Sequence, residues 1–401
     1  MSTPNLTAEQ IEFQEHARAW LAANPAPETQ IDLPLSQLEL AKREQVEYYR
    51  EWQRSCYEAG LVGTDIAKEY GGHGHSGCQD IANREMSRVG APFLLNTVGL
   101  SMMIPAVLKH GTEEQKRRFI PKALSAEEIW CQGFSEPGAG SDMANQQTMA
   151  VRRGEGWVVN GHKVWTSFGQ FAKHMILLAR TSRDHKYDGL SFFLCPVEGH
   201  AGVTVKPLVK MTGELGFNEV FFEDCVIDDS LRLDEVGKGW TVAMTVLTHE
   251  RGAAEGAGGG GISAVHPIER LIGLAKSSQR GGGLAADDPV TRDAIIRQAI
   301  VHEGIQQDAR RAQVPALNDH PMRLPMGQGV VRTEFEQDCA RLGVDIAGAR
   351  STLYKHDDAA PDNGYWPLAY MKSYALTIGG GSSEIQRNIL GERILGMPKS
   401  K

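Results

Sequence analysis

Six short runs rich in β-branched and aromatic residues, at 146–152, 157–166, 174–180, 190–196, 202–208 and 218–227, lie between two long segments of helical pattern. Turn signals separate them, among them Gly154-Glu155-Gly156 and Asp188-Gly189. Short strands at regular spacing predict a small barrel or sandwich. A helical block, a β block and a second helical block predict three domains, over 1–122, 123–230 and 231–401. The 401 residues are enough for each to bury its own core.

The flanking helices announce their own ends. Thr7-Ala8-Glu9-Gln10, Thr112-Glu113-Glu114-Gln115 and Ser383-Glu384-Ile385-Gln386 each read as a capping box, in which side chains satisfy the free N–H groups of a first turn. Helical pattern runs from the first box through Trp20 and over 38–59, 78–89 and 93–109. After the β block it covers 237–256, 289–312, 331–353 and 367–378. Glycines at 258–261 interrupt it, and 277–288, with three successive glycines, reads as a mobile loop. The glycines within 64–74 read as turn formers.

Several function classes are excluded. Net charge is −8, so the bulk electrostatics for nucleic acid are absent. No apolar run reaches the roughly 18 residues that span a bilayer, so no membrane insertion is expected. The first thirty residues lack the regions of a signal or transit peptide. The six cysteines are scattered with no CxxC pair, which argues against a metal cluster and fits a reducing cytoplasm.

The chemistry concentrates between Trp130 and Gly169. Ser135–Asp142 reads SEPGAGSD, a tight turn whose glycines let backbone approach a ligand. Exposed N–H groups in such a turn suit anionic or carbonyl-rich groups. Gly161–Gly169 reads GHKVWTSFG and sets the Trp165 ring beside Thr166 and Ser167. A flat ring flanked by hydroxyls makes a wall for a planar heterocycle with polar edges. Either piece alone is explained by a hairpin with a core tryptophan.

Four blocks, in order, resemble the acyl-CoA dehydrogenase family: GTEEQKRRFIP from Gly111, SEPGAGSD with KVWTS, GKGW through Glu250-Arg251, and GGGSSEIQRNILGERILGMP from Gly379. The match runs from about residue 5 to 398. It implies an α+β multidomain fold: a helical N-terminal domain, a β-barrel middle domain and a C-terminal four-helix bundle. It also implies FAD as cofactor. Carried over by position, Gln132, Phe134, Ser135, Gly140 and Ser141 line the flavin. Trp165, Thr166 and Ser167 flank it, and Ser382 and Glu384 meet it from the last block. Ser141, Leu247, Arg251 and Gly381 fall on substrate positions.

The implied reaction removes two hydrogens from the α and β carbons of an acyl-CoA. It needs a base at the α proton and donors for the developing enolate. The family's common base position is Gly380 here, which has no side chain. A second branch, of isovaleryl and long-chain type, takes its base from the long helix as a glutamate before an arginine; that residue is Glu250. The backbone N–H of Gly380 remains available to the thioester oxygen. With no side chain at 380 and glycines from 256 onward, the expected acyl group is branched or bulky, a fatty acid or a steroid side chain.

Two departures stand out. The QxxGG segment is absent before Tyr365, and R-x-x-F-G is absent near 280–300. The resemblance further implies electron-transfer flavoprotein as acceptor and a homo-oligomer, tetramer or dimer. Two alternatives stay open: an oxygen-using oxidase or monooxygenase on the same fold, or a non-catalytic subunit of a hetero-oligomer.

Overall fold

The computed structural model describes residues 6–34, 37–256, 267–312, 314 and 325–398, without the side chains of 38, 250–256, 312, 325, 326, 328 and 393. The chain forms two compact units, Met1–Gly261 and Ile262–Lys401.

In the first unit, α1 (Ala8–Ala23) and α5 (Glu113–Leu124) begin as expected. Thr7 and Thr112 each accept from the N–H three residues on, and Gln10 and Gln115 close the boxes. Between them lie α2 (Arg43–Glu58), α3 (Gln79–Arg88) and α4 (Ile104–His110). A π-turn, Gly99–Met103, leads into α4. The 38–59 segment starts its α-helix only at Arg43, after a short 3-10 turn at Gln37–Glu39.

All six expected strands form: β2 (Met149–Arg153), β3 (Gly156–Ser167), β4 (His174–Arg180), β5 (Leu190–Pro196), β6 (Val203–Leu208) and β7 (Phe217–Asp228). Two more were not foreseen, β1 (Trp130–Gly133) and β8 (Arg232–Leu233). The eight make one sheet in the order β6-β7-β3-β2-β4-β5-β8, with β1 parallel to β4. Every residue of β4 is buried, which suits a strand paired on both sides within the core. α6 (Gly239–Gly256) packs on the π-turn, α4 and β5, burying Val242, Ala243 and Val246.

Buried amides join the helical and β parts. The Gln53 side chain donates to the carbonyls of Ala123 (3.2 Å) and Leu124 (2.9 Å) at the end of α5. It accepts from Asn96 N–H at 2.9 Å. The Asn96 side chain accepts from Trp130 N–H at 3.0 Å and donates to Ala123 and Glu128 carbonyls. The start of β1 is thereby held by α2 and α5.

In the second unit, α7 (Pro267–Ser277), α8 (Pro289–Ala312), α9 (Pro325–Ala347), α10 (Tyr365–Leu376) and α11 (Ser383–Ile389) gather around α9. Their core includes Ile268, Leu271, Ile295, Phe335 and Trp366. Gly343 lets α9 and α10 approach closely, since a Cβ there would stand 1.9 Å from the Trp366 ring.

Three expectations are corrected here. The glycine-rich 277–288 stretch carries a short hairpin, β9 (Gln279–Arg280) with β10 (Gly283–Leu284), because Gly281 and Gly282 at φ +60 and +87 make the turn. The 331–353 helix begins at Pro325 and turns 3-10 from Gly348, a residue at φ +57. Finally, Ser382 rather than Ser383 caps α11, accepting from Ile385 N–H at 3.4 Å. Gly380 and Gly381, at φ +72 and +108, bring the chain round so that Ser382 holds the extended cap conformation. The Gln386 side chain turns back to Gly380 O at 2.9 Å. The expected interruption at 258–261 lies outside the described residues.

Candidate active site

The two halves of the central motif meet in the first unit. β1 delivers Gln132 and Phe134 to the turn, where Glu136 and Ala139 exchange backbone hydrogen bonds of 3.0 Å. Val164 N–H of β3 donates to Ser135 O at 2.9 Å, stitching turn to strand.

Beneath the turn lies a charge pair that sequence reasoning passed over. Lys163 is fully buried, and its Nζ donates to Glu136 (2.8 Å), Gln146 Oε1 (2.7 Å) and Phe134 O (3.1 Å). Glu136 also accepts from the N–H groups of Gln147 (2.7 Å) and Thr148 (3.0 Å). Burial alone would raise the Glu136 carboxyl; the Lys163 ammonium outweighs it and holds the group below the usual carboxylate range. Burial brings Lys163 down to about 8, with Glu136 opposing the shift. Arg180, also buried, donates to the carbonyls of Gln146 (2.9 Å) and Ala144 (2.6 Å), fixing the chain beyond Asp142. The one signal in the sequence was a lysine inside an apolar strand pattern.

On this base the expected ligand wall is set. The β3–β7 register slips between Lys163 and Thr166, and Trp165 takes φ +60. Such a bulge re-aims a side chain. The Trp165 ring is 61% exposed, edge-on to Phe217 at 5.9 Å between centroids. Gly140 and Ser141 are exposed; Gln132, Ser135 and Ser167 are half-buried. Thr166 is buried, and among the described residues its Oγ1 has no hydrogen-bond partner. An unpaired hydroxyl beside an exposed indole fits a planar ligand with polar edges, as a flavin has. The residues present therefore fit FAD, with Gln132, Ser135, Trp165, Thr166 and Ser167 as its wall.

On α6, Ala243 and Val246 are buried and Leu247 packs partly against the core. Position 250 falls seven, four and three residues after them, on the same helical stripe. The side chains of Glu250 and Arg251 lie outside the described residues. In the second unit, Gly380 has open space where a Cβ would stand, and its N–H donates to no group among the described residues. Gly381 N–H is engaged by Ile378 O at 3.2 Å. Hydrogen bonds from its own N–H and from Ser382 lower the Glu384 carboxyl.

Family profiles match in three consecutive pieces: the acyl-CoA dehydrogenase N-terminal domain over 7–127, middle domain over 131–225 and C-terminal domain over 237–395. The chain belongs to the acyl-CoA dehydrogenase family. Members of this family are flavin-linked oxidoreductases. The chain is 36% identical over 398 residues to acyl-CoA dehydrogenase IpdE1 of Mycobacterium tuberculosis, covering 97% of this chain and 98% of that protein. It is 28% identical to acyl-CoA dehydrogenase FadE26 of the same organism, over 98% of both chains. Among solved structures, the Tcur3481-Tcur3483 steroid ACAD superposes with a TM-score of 0.79 at 26% identity over 99% of both chains. The ChsE4-ChsE5 complex from Mycobacterium tuberculosis gives 0.75 at 26% identity, over 99% of this chain and 100% of that one. Among the described residues no helix is long and apolar enough to cross a membrane, and no cluster of metal-ligating side chains occurs.

Proposed function

We propose that this chain catalyses FAD-dependent α,β-dehydrogenation of a bulky, steroid-derived acyl-CoA, with Glu250 as base. The observation that carries the reading is the register of α6, which sets position 250 on the stripe that buries Ala243 and Val246. Glu250 takes the α proton. The N–H of Gly380 binds the thioester oxygen and favours the enolate-like charge that grows as the proton leaves. Bound FAD would supply the acceptor for the β hydride, leaving the enoyl-CoA and a proton on Glu250. Trp165, Gln132, Ser135 and Ser167 are the residues that would hold the cofactor. Electron-transfer flavoprotein is the acceptor this assignment implies.

The bulky substrate is supported by Gly380, whose open surroundings leave room that a side chain would fill, and by the likeness to a structure described as a steroid ACAD. Anaerobic titration with a panel of CoA thioesters of graded bulk tests it. Steroid-derived thioesters should bleach the flavin; bleaching by butyryl-CoA alone would overturn the substrate assignment. Glu250→Gln should lower the bleaching rate by roughly 10²- to 10⁴-fold, the usual worth of a positioned base. Bleaching at the parent rate would remove Glu250 from the mechanism.

A second reading has one observation behind it. A structural neighbour is a complex of two differently named chains, and the last block lacks a carboxylate at Gly380. The chain would then act beside a different subunit. Failure to hold FAD alone, with recovery on adding that subunit, would select this reading over a homo-oligomer.

A further inference from the structure

We infer that His110, Asp234 and Thr245 form a clamp that fixes the register of α6 and thereby the place of Glu250; the inference rests on the reading of Glu250 as base. The three residues come from three elements of the first unit. His110 ends α4, Asp234 follows β8 and Thr245 lies within α6. Asp234 Oδ2 stands 2.8 Å from His110 Nδ1, and His110 Nε2 stands 2.9 Å from Thr245 Oγ1. The His110 side chain is 8% exposed and Thr245 is buried.

The carboxylate sets the polarity of the chain of hydrogen bonds. It can only accept, so Nδ1 carries the proton, Nε2 of the neutral ring accepts, and the Thr245 hydroxyl donates. If the ring takes a second proton, Nε2 donates, and the Thr245 hydroxyl can turn to Thr241 O at 3.4 Å. The link survives in both states, so it serves to hold a position.

α6 needs such a link. It packs on its neighbours through Val242, Ala243 and Val246, apolar contacts whose attraction carries no directional preference. A hydrogen bond to an oriented ring resists sliding and rotation, because its angle as well as its length is constrained. Thr245 precedes position 250 by five residues, about 7.5 Å along a rigid helix, so a slip at one is a slip at the other.

Two features show the clamp is built. Asp234 sits at φ +64, in the left-handed region where Asp is among the better tolerated non-glycine residues, and there it supplies a carboxylate. The approach to Asp234 is anchored separately. Gln115 Nε2 of α5 donates to the carbonyls of Ser230 (2.8 Å) and Arg232 (3.0 Å).

The test uses the FAD-loaded full chain and three variants. Thr245→Val removes the hydroxyl and keeps the shape; Thr245→Ser keeps the hydroxyl; Asp234→Gly suits the backbone and removes the carboxylate. Thr245→Val and Asp234→Gly should speed amide hydrogen exchange of 243–256 about ten-fold while the strands of the sheet keep the parent rate. They should slow single-turnover bleaching by about 10- to 100-fold with substrate affinity within about two-fold, as a misplaced catalytic group does. Thr245→Ser should restore both. Unchanged exchange in α6, or exchange raised equally everywhere, overturns the clamp. So does bleaching at the parent rate in both variants while Glu250→Gln is inert. Bleaching at the parent rate in Glu250→Gln overturns the base reading instead, and the clamp's purpose with it.

Discussion

Lys163 Nζ lies 2.8 Å from Glu136 Oε1 in the interior of the first unit, and the two residues belong to the two halves of the motif proposed to hold the flavin. The pair joins a Gly-rich turn, which on its own would be loose, to a strand. A buried pair is costly to assemble and far more costly to break on one side. Its worth here is geometric, since it sets where Ser135 and Trp165 stand relative to each other.

Lys163→Met should therefore destabilise the first unit by about 3–5 kcal/mol, leaving Glu136 buried and unpaired. Adding Glu136→Gln should recover part of that loss, because the two sites are coupled. Chemical denaturation followed by intrinsic fluorescence measures both, and flavin content of the single variant should fall in parallel.

Trp165 tests the wall without touching the core. At 61% exposure its ring contributes little to folding, so Trp165→Ala should shift stability by no more than about 0.5 kcal/mol. On the proposed reading the same change removes a stacking partner worth about 0.5–1.5 kcal/mol, a roughly two- to thirteen-fold rise in the dissociation constant for FAD. Titration of the apoprotein with FAD reads the difference.

Gly380→Ala separates space from conformation. Nothing stands within 4 Å of the added Cβ, yet φ is +72. The cost should be about 1–2 kcal/mol, from the left-handed backbone alone. Any relaxation would turn the N–H that the proposed mechanism assigns to the thioester oxygen, so on that reading turnover should fall more than FAD binding does.

Asp229 predicts a pH dependence. Hydrogen bonds from Arg232 (2.8 Å) and, despite some burial, from Trp157 Nε1 (2.7 Å) bring its carboxyl from 3.8 to about 2. The folded value lies below the unfolded one, so its stabilisation is full above about pH 4 and fades as pH falls toward 2. Asp229→Asn should remove that fading over this window, seen as a flatter plot of unfolding midpoint against pH.

Gly343→Ala should damage the second unit selectively. The new methyl would lie 1.9 Å from the Trp366 ring, and overpacking of this kind costs about 1–3 kcal/mol. Limited proteolysis should cut the second unit first.

What could be read along the chain was whatever neighbouring residues decide among themselves. Thr7 and Thr112 cap α1 and α5 because hydroxyl and N–H lie three residues apart in any fold. The six strands between 146 and 227 follow from alternation and turn residues, and the four family blocks carried the fold and the family. Tertiary structure alone decided the rest. Strict alternation would set Lys163, Trp165 and Ser167 on one face, but a bulge buries Lys163 and exposes Trp165. Capping at Ser382 instead of Ser383 depended on the left-handed turn at Gly380 and Gly381. β1 had no pattern of its own and exists because β4 offers it a free edge and Asn96 holds its first N–H. A buried charge or an irregular strand is stable only when its partner arrives from elsewhere: Glu136 lies 27 residues from Lys163 and His110 lies 135 from Thr245. No local rule spans that distance, because the energy that fixes such pairs comes from excluding water, which happens only once the chain has folded around them.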